Sequence, residues 1–299
     1  MTSDDASQSS PLRYDALLLI TAVIWGFAFV AQSLAMKNIG PFVFNGIRFA
    51  LGAFALVPLL FWKPKGEQLS APGSQTKMGN LLLWGGVAAG IFLFMGASFQ
   101  QTGLVNTSAG NAGFITGLYV VIVPIMGLLI RQRTNAGTWV GAILAAVGLY
   151  LLSVKGNFTM GWGDLLVLGG AFFWAAHVIL IGWLSPKLNT IKLAIMQFLI
   201  CSILSLAVSA FTETTTLSAI RGAGIPILYG GFASVGVAYT LQVYAQKSAH
   251  PAHASIILSM EAVFAAVGVK SAPRFFDQIT PATPKHSAVR RRAPKFCGS

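Results

Sequence analysis

The chain has 299 residues, of which 55% are hydrophobic and 9% are charged, with a formal net charge of +12. These proportions exclude a soluble globular protein of this length, because such a protein needs more polar residues to cover its surface. Cys201 lies in an apolar run and Cys297 in a basic tail, so the cysteines indicate neither a disulfide framework nor a metal cluster.

Long apolar stretches follow one another along most of the chain. A hydrocarbon core of about 30 Å requires roughly 20 mainly apolar residues per helix. Stretches of about that length predict nine transmembrane helices and an all-α membrane protein, and they cover residues 14–35, 41–62, 78–99, 107–130, 137–154, 163–184, 191–211, 224–244 and 252–269.

The basic residues between these stretches predict the orientation. With the N-terminus inside, nine loop cations face the cytoplasm, and only Lys37, Lys155 and Arg221 face outward. This bias follows the positive-inside rule, and it explains much of the positive charge without nucleic acid as a partner. We therefore predict an integral protein of the inner or plasma membrane with a cytoplasmic N-terminus.

Two pairs of segments indicate an internal repeat. Asp15 and Trp25 have the same spacing as Asp164 and Trp174. The segment "AGNAGFITGLYVV" from Ala109 can also be aligned with "PAHASIILSMEAV" from Pro251, which sets Asn111 opposite His253 and Tyr119 opposite Glu261. Because five helices precede the second copy, that copy starts in the opposite orientation. The pattern is the inverted repeat of many secondary transporters.

Over residues 17–266 the chain resembles the EamA-type permeases of the drug/metabolite transporter superfamily. The resemblance rests on "ITAVIWGFAFV", "PFVFNGIRFALGAFAL", "NAGFITGLYVVIVPIMG", "GAILAAVGLYLLS" and "LSMEAVFAA", with Ala262 where the family usually has proline. It implies ten helices in two five-helix repeats and the transport of a solute. It does not identify the substrate, since the family moves many kinds of solute.

The repeat predicts a domain organisation with one irregularity. A polar segment (1–13) precedes a first repeat of five helices (14–154), a second repeat of four helices (155–269) and a basic tail (270–299) that we expect to be disordered. A tenth helix is missing after Ala266, which indicates a shifted reading frame or a truncation near Val267. The alternatives are a natural nine-helix protein, or a defective membrane protein that does not transport.

Two charged residues within the apolar stretches are the strongest site candidates. Arg48 lies in the second stretch and Glu261 in the ninth, and a charge near the bilayer midplane costs at least about 2.5 kcal/mol. They could bind substrate as a cavity pair, or Glu261 could exchange a proton with substrate. A structural ion pair is the alternative. Arg48 could also extend to the interface, since it lies about two turns from Pro41.

Uncharged polar and aromatic residues extend the candidate set. His177 could bind substrate or relay a proton, or it could bond to a neighbouring helix. Trp25 and Trp174 could stack on a substrate ring, or they could serve only in packing. Amides and a tyrosine in apolar stretches could line a cavity or join helices, and these are Gln32, Asn45, Asn111, Tyr119, Gln197 and Gln242.

Motifs for other functions do not occur in the sequence. It contains no phosphate-binding loop, zinc-ligand spacing or nucleophile elbow, so we predict neither an enzyme nor a cofactor, and transport would be secondary. The expected partners are a small-molecule substrate and the lipid bilayer. Glycine pairs at four-residue spacing, such as Gly86 and Gly90 or Gly113 and Gly117, predict close helix packing within the chain or in a homodimer.

Overall fold

A computed structural model describes residues 11–61, 72–132, 134–153 and 160–279. Every regular element in these ranges is helical, as predicted. The elements are α1 Pro11–Ala35, α2 Pro41–Leu60, α3 Pro72–Gly103, α4 Ala109–Gly117, α5 Tyr119–Leu129, α6 Ala136–Ser153, α7 Trp162–Leu184, α8 Thr190–Thr212, α9 Leu217–Gly222, α10 Gly224–Leu228, the π-helix π1 Tyr229–Tyr239, α11 Thr240–Ala245, α12 Pro251–Leu258 and α13 Glu261–Ile279.

Eight of the nine predicted stretches are long and apolar enough to cross a membrane. In the described part of the chain these spans are Leu12–Ala35, Pro41–Leu60, Lys77–Gly103, Ala109–Leu129, Trp162–Leu184, Thr190–Thr212, Gly224–Ala245 and Pro251–Ser271. The remaining stretch is α6, whose apolar part, Ala136–Leu151, is shorter. The all-helical membrane fold is therefore confirmed, while the count of nine spans stays a prediction.

Two of the spans are broken in the middle, which the sequence analysis did not predict. One changes from α4 to α5 at Leu118, and the other changes from α12 to α13 at Ser259 and Met260. The Ser259 hydroxyl donates to the Ile256 carbonyl at 2.7 Å, a local bond of the kind that competes with regular helical bonding. The breaks fall at aligned positions, so Tyr119 and Glu261 each begin the second half of their span.

The two halves of the chain pack against each other through reciprocal contacts. The first helix, α1, contacts α12 and α13, and its counterpart α7 contacts α4 and α5. The second helix, α2, also packs on α8, and α3 packs on α7. Glycines allow the close approach between the halves: a Cβ atom on Gly26 would lie 2.3 Å from the Cβ of Phe264. This crossing therefore requires glycine at that position.

The glycine pairs pack against helices of the same chain. A Cβ atom on Gly86 would lie 2.4 Å from Met196, and one on Gly90 would lie 2.5 Å from Ile200, both on α8. On α4, a Cβ atom on Gly113 would lie 2.9 Å from Ala265 of α13. These contacts favour packing within the chain for the two pairs, and the homodimer stays a prediction.

The last helix extends beyond its predicted end. The prediction ended it at Val269, but α13 continues to Ile279 and so includes the first ten residues of the expected disordered tail. Extending an existing helix is much easier than nucleating a new one, because each further residue adds a backbone hydrogen bond. The remainder of the tail, 280–299, lies outside the described residues.

Candidate substrate cavity

A cavity lies among α1, α2, α3, α7, π1 and the two broken spans. Its volume for the centres of water-sized spheres is about 30 Å³, which is enough for roughly two water molecules in this conformation. Six of the predicted site residues line it: Trp25, Arg48, Tyr119, Trp174, His177 and Glu261. Gln32 and Gln242 line it as well. The candidates that the sequence scatters over six spans therefore share one site.

Arg48 is buried on α2, with 2% of its surface exposed. Its Nε donates to Asn45 Oδ1 at 3.0 Å, and its guanidinium lies over the rings of Phe44 and Phe49, at 5.1 and 4.8 Å from their centroids. No carboxylate lies within 4.0 Å of its nitrogens among the described side chains. The two phenylalanine rings thus contact the Arg48 guanidinium where an anionic partner would otherwise lie.

These contacts contradict two interpretations of Arg48. The side chain does not extend to the interface, because it packs between α2 and π1, where a Cβ atom on Gly230 would lie 3.4 Å from its Cδ. It also forms no structural ion pair with Glu261 in the described structure, although both residues line the cavity. Arg48 therefore presents a cation to the cavity without a bound acid.

Glu261 is the first residue of α13 and is 4% exposed. Within the described structure, its Oε1 has no hydrogen-bond partner, and neither has the hydroxyl of Tyr119. The Tyr119 hydroxyl and the Glu261 carboxylate nevertheless lie close enough to each other for a weak hydrogen bond. An unpartnered buried polar group costs about 1–3 kcal/mol, so such groups usually mark a place that a ligand, a water or a proton occupies.

His177 fits both of its predicted roles. Its Nε2 lies 2.7 Å from Gln197 Oε1 on α8, which is the bond to a neighbouring helix. Its Nδ1 has no partner among the described residues, and the ring lines the cavity. One nitrogen therefore fixes the ring, and the other is available to a ligand.

Tyr239, the last residue of π1, is the aromatic centre of the cavity and was not predicted. Its ring centroid lies 4.6 Å from Trp25, 6.1 Å from Trp174 and 5.9 Å from Phe198. Tyr239 lines the same cavity as Arg48 and Glu261, which do not pair with each other.

Hydrogen bonds hold both tryptophans in fixed orientations. Trp174 Nε1 donates to Gln100 Oε1 at 2.9 Å, and Gln100 Nε2 donates to Gln32 Oε1 at 2.9 Å. Trp25 Nε1 donates to the Ser234 carbonyl in π1 at 3.2 Å. Their rings are thus a rigid part of the cavity wall as well as packing elements. Gln100 was missed because it lies one residue beyond the predicted end of its helix.

Asn45 and Asn111 do not line the cavity. Asn45 is fully buried behind Arg48, and its Nδ2 has no partner among the described residues. Asn111 lies in the first turn of α4, where its backbone N–H donates to the capping Ser108 hydroxyl at 3.1 Å. Neither is placed to contact a solute in the cavity.

An all-helical membrane protein with an internal cavity of unpaired polar groups has the architecture of a solute transporter. The comparison of sequences agrees with this class. The family described as "EamA-like transporter family" matches residues 12–154 and 161–268. The chain therefore belongs to the EamA-like transporter family.

Individual relatives point the same way. An uncharacterized transporter of Archaeoglobus fulgidus is 34% identical over 255 residues, which are 85% of this chain and 76% of that protein. A "probable amino-acid metabolite efflux pump" of Escherichia coli K12 is 28% identical over 174 residues, 54% of this chain and 52% of that protein. One solved crystal structure aligns with a TM-score of 0.68 at 16% identity, covering 88% of this chain and 89% of that one, and so supports the fold alone.

Proposed function

We propose that this chain is a secondary transporter that exports or exchanges small metabolites by alternating access. The observation that carries the proposal is the central cavity, lined by a buried cation and a buried carboxylic acid that do not pair with each other. Ionisable groups within a membrane are costly and persist where they serve a wet cavity, a substrate or a proton. A protein that only packed in the bilayer would have no need for either.

The proposed mechanism rests on two repeats of inverted topology, residues 14–154 and 155–269. Two features support this division: the reciprocal packing of α1 and α7 on the opposite half, and the helix breaks before Tyr119 and Glu261. In carriers of this kind, discontinuous helices from both repeats form a binding site near the midplane, and the repeats rock around it. We infer that the cavity described above is this binding site.

The inverted repeat makes a prediction about topology. Single cysteines at Lys65 and Lys155, in a background without Cys201 and Cys297, should react with a membrane-impermeant thiol reagent from opposite sides of the membrane. Lys65 should react from the cytoplasmic side, as the basic loops predict. Labelling of both positions from the same side would contradict the cytoplasmic N-terminus and the inverted repeat together.

The chemistry of the cavity favours a small zwitterion as substrate. Arg48 can bind a carboxylate, Glu261 can bind an ammonium group, and the rings of Trp25, Trp174 and Tyr239 can pack against an apolar group between them. An amino-acid metabolite has this combination of groups, and the E. coli relative carries that term in its name. Glu261 could also bind a proton in place of the ammonium group, which would couple export to a proton gradient.

A set of three matched solutes tests this proposal with the purified full chain in proteoliposomes. Phenylalanine has both charges, 3-phenylpropionate has only the carboxylate, and 2-phenylethylamine has only the ammonium group. We expect counterflow of phenylalanine to exceed that of either single-charge analogue by about tenfold, because each missing contact to a charged group is worth roughly 1.5–3 kcal/mol. If only one of the single-charge analogues shows counterflow, the substrate is not a zwitterion, although the chain is still a transporter.

One observation favours the alternative of a defective protein that does not transport. The family matches 143 residues of the first half (12–154) but only 108 of the second (161–268), and the second match ends at Gly268, next to the predicted junction at Val267. This agrees with the change of sequence predicted near Val267. The counterflow assay distinguishes the alternatives, because a correctly inserted chain that moves none of a broad panel of solutes is not a carrier.

A further inference from the structure

A polar contact joins the two halves at the end of the bundle where α1 begins. Asp15 Oδ1 on α1 lies 2.9 Å from His253 Nε2 on α12, and these side chains are 33% and 49% exposed. It is the one contact between an acidic and a basic group within 4.0 Å among the described side chains. Beside it, Tyr14 of α1 packs on Tyr244 of α11, with their ring centroids 6.0 Å apart. This end of α1 is therefore fixed to the second half.

The opposite end has the reciprocal contact. The Thr107 hydroxyl, just before α4, donates to the carboxylate of Asp164 on α7, whose other oxygen accepts from the backbone N–H of Gly161 at 3.0 Å. Asp164 is 5% exposed. Asp15 and Asp164 occupy equivalent positions in the two halves. At each end, an aspartate of one half thus contacts the start of a broken span of the other half.

We propose that these contacts are the two latches of the transport cycle, and that only the Asp15–His253 latch is controlled by pH. This inference rests on the proposed function, because an alternating-access carrier must separate the halves at one end at a time. Asp15 and His253 are positioning residues here, since they contact no solute in the cavity. Among the described side chains, the Thr107–Asp164 latch has no basic partner and therefore lacks a comparable switch.

The charges around His253 explain why Asp15 is needed. Among the described residues, the other charged or titratable groups at this end are Arg13 and Tyr14 on α1, Lys77 on α3, Lys192 on α8, Tyr244 on α11, Lys247 and His250 before α12, Arg131 after α5 and Lys187 after α7. Arg13 and Lys247 both lie over the Tyr244 ring, at 5.9 and 5.7 Å. Asp15 is the only carboxylate at this end among the described side chains, so it alone can hold a protonated His253.

Protonation changes the strength of this latch. A neutral histidine forms an ordinary hydrogen bond with a carboxylate, while an imidazolium forms a charge-assisted ion pair that is roughly twice as strong. Acidification on this side therefore strengthens the contact between α1 and α12 and favours closure of this end.

Protonation of His250 has the opposite effect, because it weakens the structure at this end. The experiment therefore needs a control variant of His250. Its Nδ1 accepts from the Ala252 N–H at 3.3 Å and caps α12. Burial and the neighbouring His253 lower the pKa of His250, so its neutral form stabilises the fold. That stabilisation is present above its unfolded pKa and is lost as the pH falls through the lowered folded value. In His250→Asn the cap acceptor remains, because asparagine is a good N-cap, but the titration is removed.

Cysteine accessibility tests the latch without a known substrate. Gln242→Cys, on a cavity-lining residue of α11, is introduced into the full chain lacking Cys201 and Cys297, and Pro186→Cys, in the exposed connection after α7, is the reference. An impermeant thiol reagent is added from the Asp15 side at pH 7.5 and 5.5. The ratio of the two labelling rates removes the pH dependence of the thiol itself.

We expect the normalised labelling of the cavity cysteine to fall about fivefold from pH 7.5 to 5.5, at the low end of typical coupling between sites. Asp15→Asn and His253→Gln should each abolish this fall, and His250→Asn should preserve it. The latch is overturned if the parent shows no fall, or if the fall survives in both latch variants. If the chain transports solutes but labelling does not change with pH, the latch is wrong and the proposed function stands. If labelling changes with pH but no solute is transported, the proposed function is wrong.

Discussion

Glu261→Gln is expected to reduce transport roughly 10- to 100-fold, because a hydrogen bond to a charged group is worth about 1.5–3 kcal/mol. The substitution conserves size but removes the charge and the exchangeable proton. Transport by the parent should vary with pH as Glu261 exchanges its proton, and the residual transport of the variant should not. Rates measured across a pH series in proteoliposomes test both statements.

The matched control for this variant is Glu213→Gln. Glu213 lies outside the cavity and accepts from the backbone N–H groups of Phe42 and Val43 at 2.9 and 2.8 Å, at the N-terminus of α2. This control also loses one carboxylate, but it should transport at the parental rate and with the parental pH dependence. If Glu261→Gln keeps the parental rate at every pH, Glu261 has no part in transport.

Arg48→Gln is expected to lower the transport of solutes with a carboxylate by roughly 10- to 100-fold, through the same loss of a charge-assisted contact. Transport of 2-phenylethylamine, which has no carboxylate, should change little. Folding should persist, because no acid within 4.0 Å of Arg48 is left unpaired among the described side chains. The ratio of phenylalanine to phenylethylamine counterflow measures the effect.

Two further variants show what the guanidinium contributes. Arg48→Lys keeps the charge but loses the flat group that stacks between Phe44 and Phe49, so its phenylalanine counterflow should be intermediate. Arg221→Gln removes an exposed arginine of α9, and its phenylalanine counterflow should equal that of the parent. Equal losses for carboxylate and amine solutes in Arg48→Gln would mean that Arg48 supports the structure rather than binding the substrate.

The sequence predicts the helices and the two charged site residues well, for physical reasons. Bilayer thickness sets the length of an apolar stretch, so spans are visible as runs of apolar residues. A charge within such a run is equally visible because it is rare there, which is how Arg48 and Glu261 were found. Six of the eight predicted site residues line the cavity, and Asn45 and Asn111 do not.

The remaining features depend on packing between distant segments. Nothing local in the sequence distinguishes Tyr239 from the other aromatic residues, and its central place results from α1, α7 and α8 meeting around π1. The distance of Arg48 from the start of its helix is compatible with a side chain that reaches the interface. In the structure the side chain instead packs against Gly230 and two phenylalanine rings.

The broken spans also determine the electrostatic potential inside the bilayer. A helix N-terminus carries the equivalent of about half a positive elementary charge. Two such termini, those of α5 at Tyr119 and α13 at Glu261, lie within the membrane spans instead of at the water interface. Their partial positive charge favours an anion beside them, and the buried side chain of Glu261 lies at the second of these termini. Where glutamine replaces Glu261, the two backbone dipoles and Arg48 remain without an acidic side chain, so we expect this variant to bind anionic solutes more tightly than the parent does.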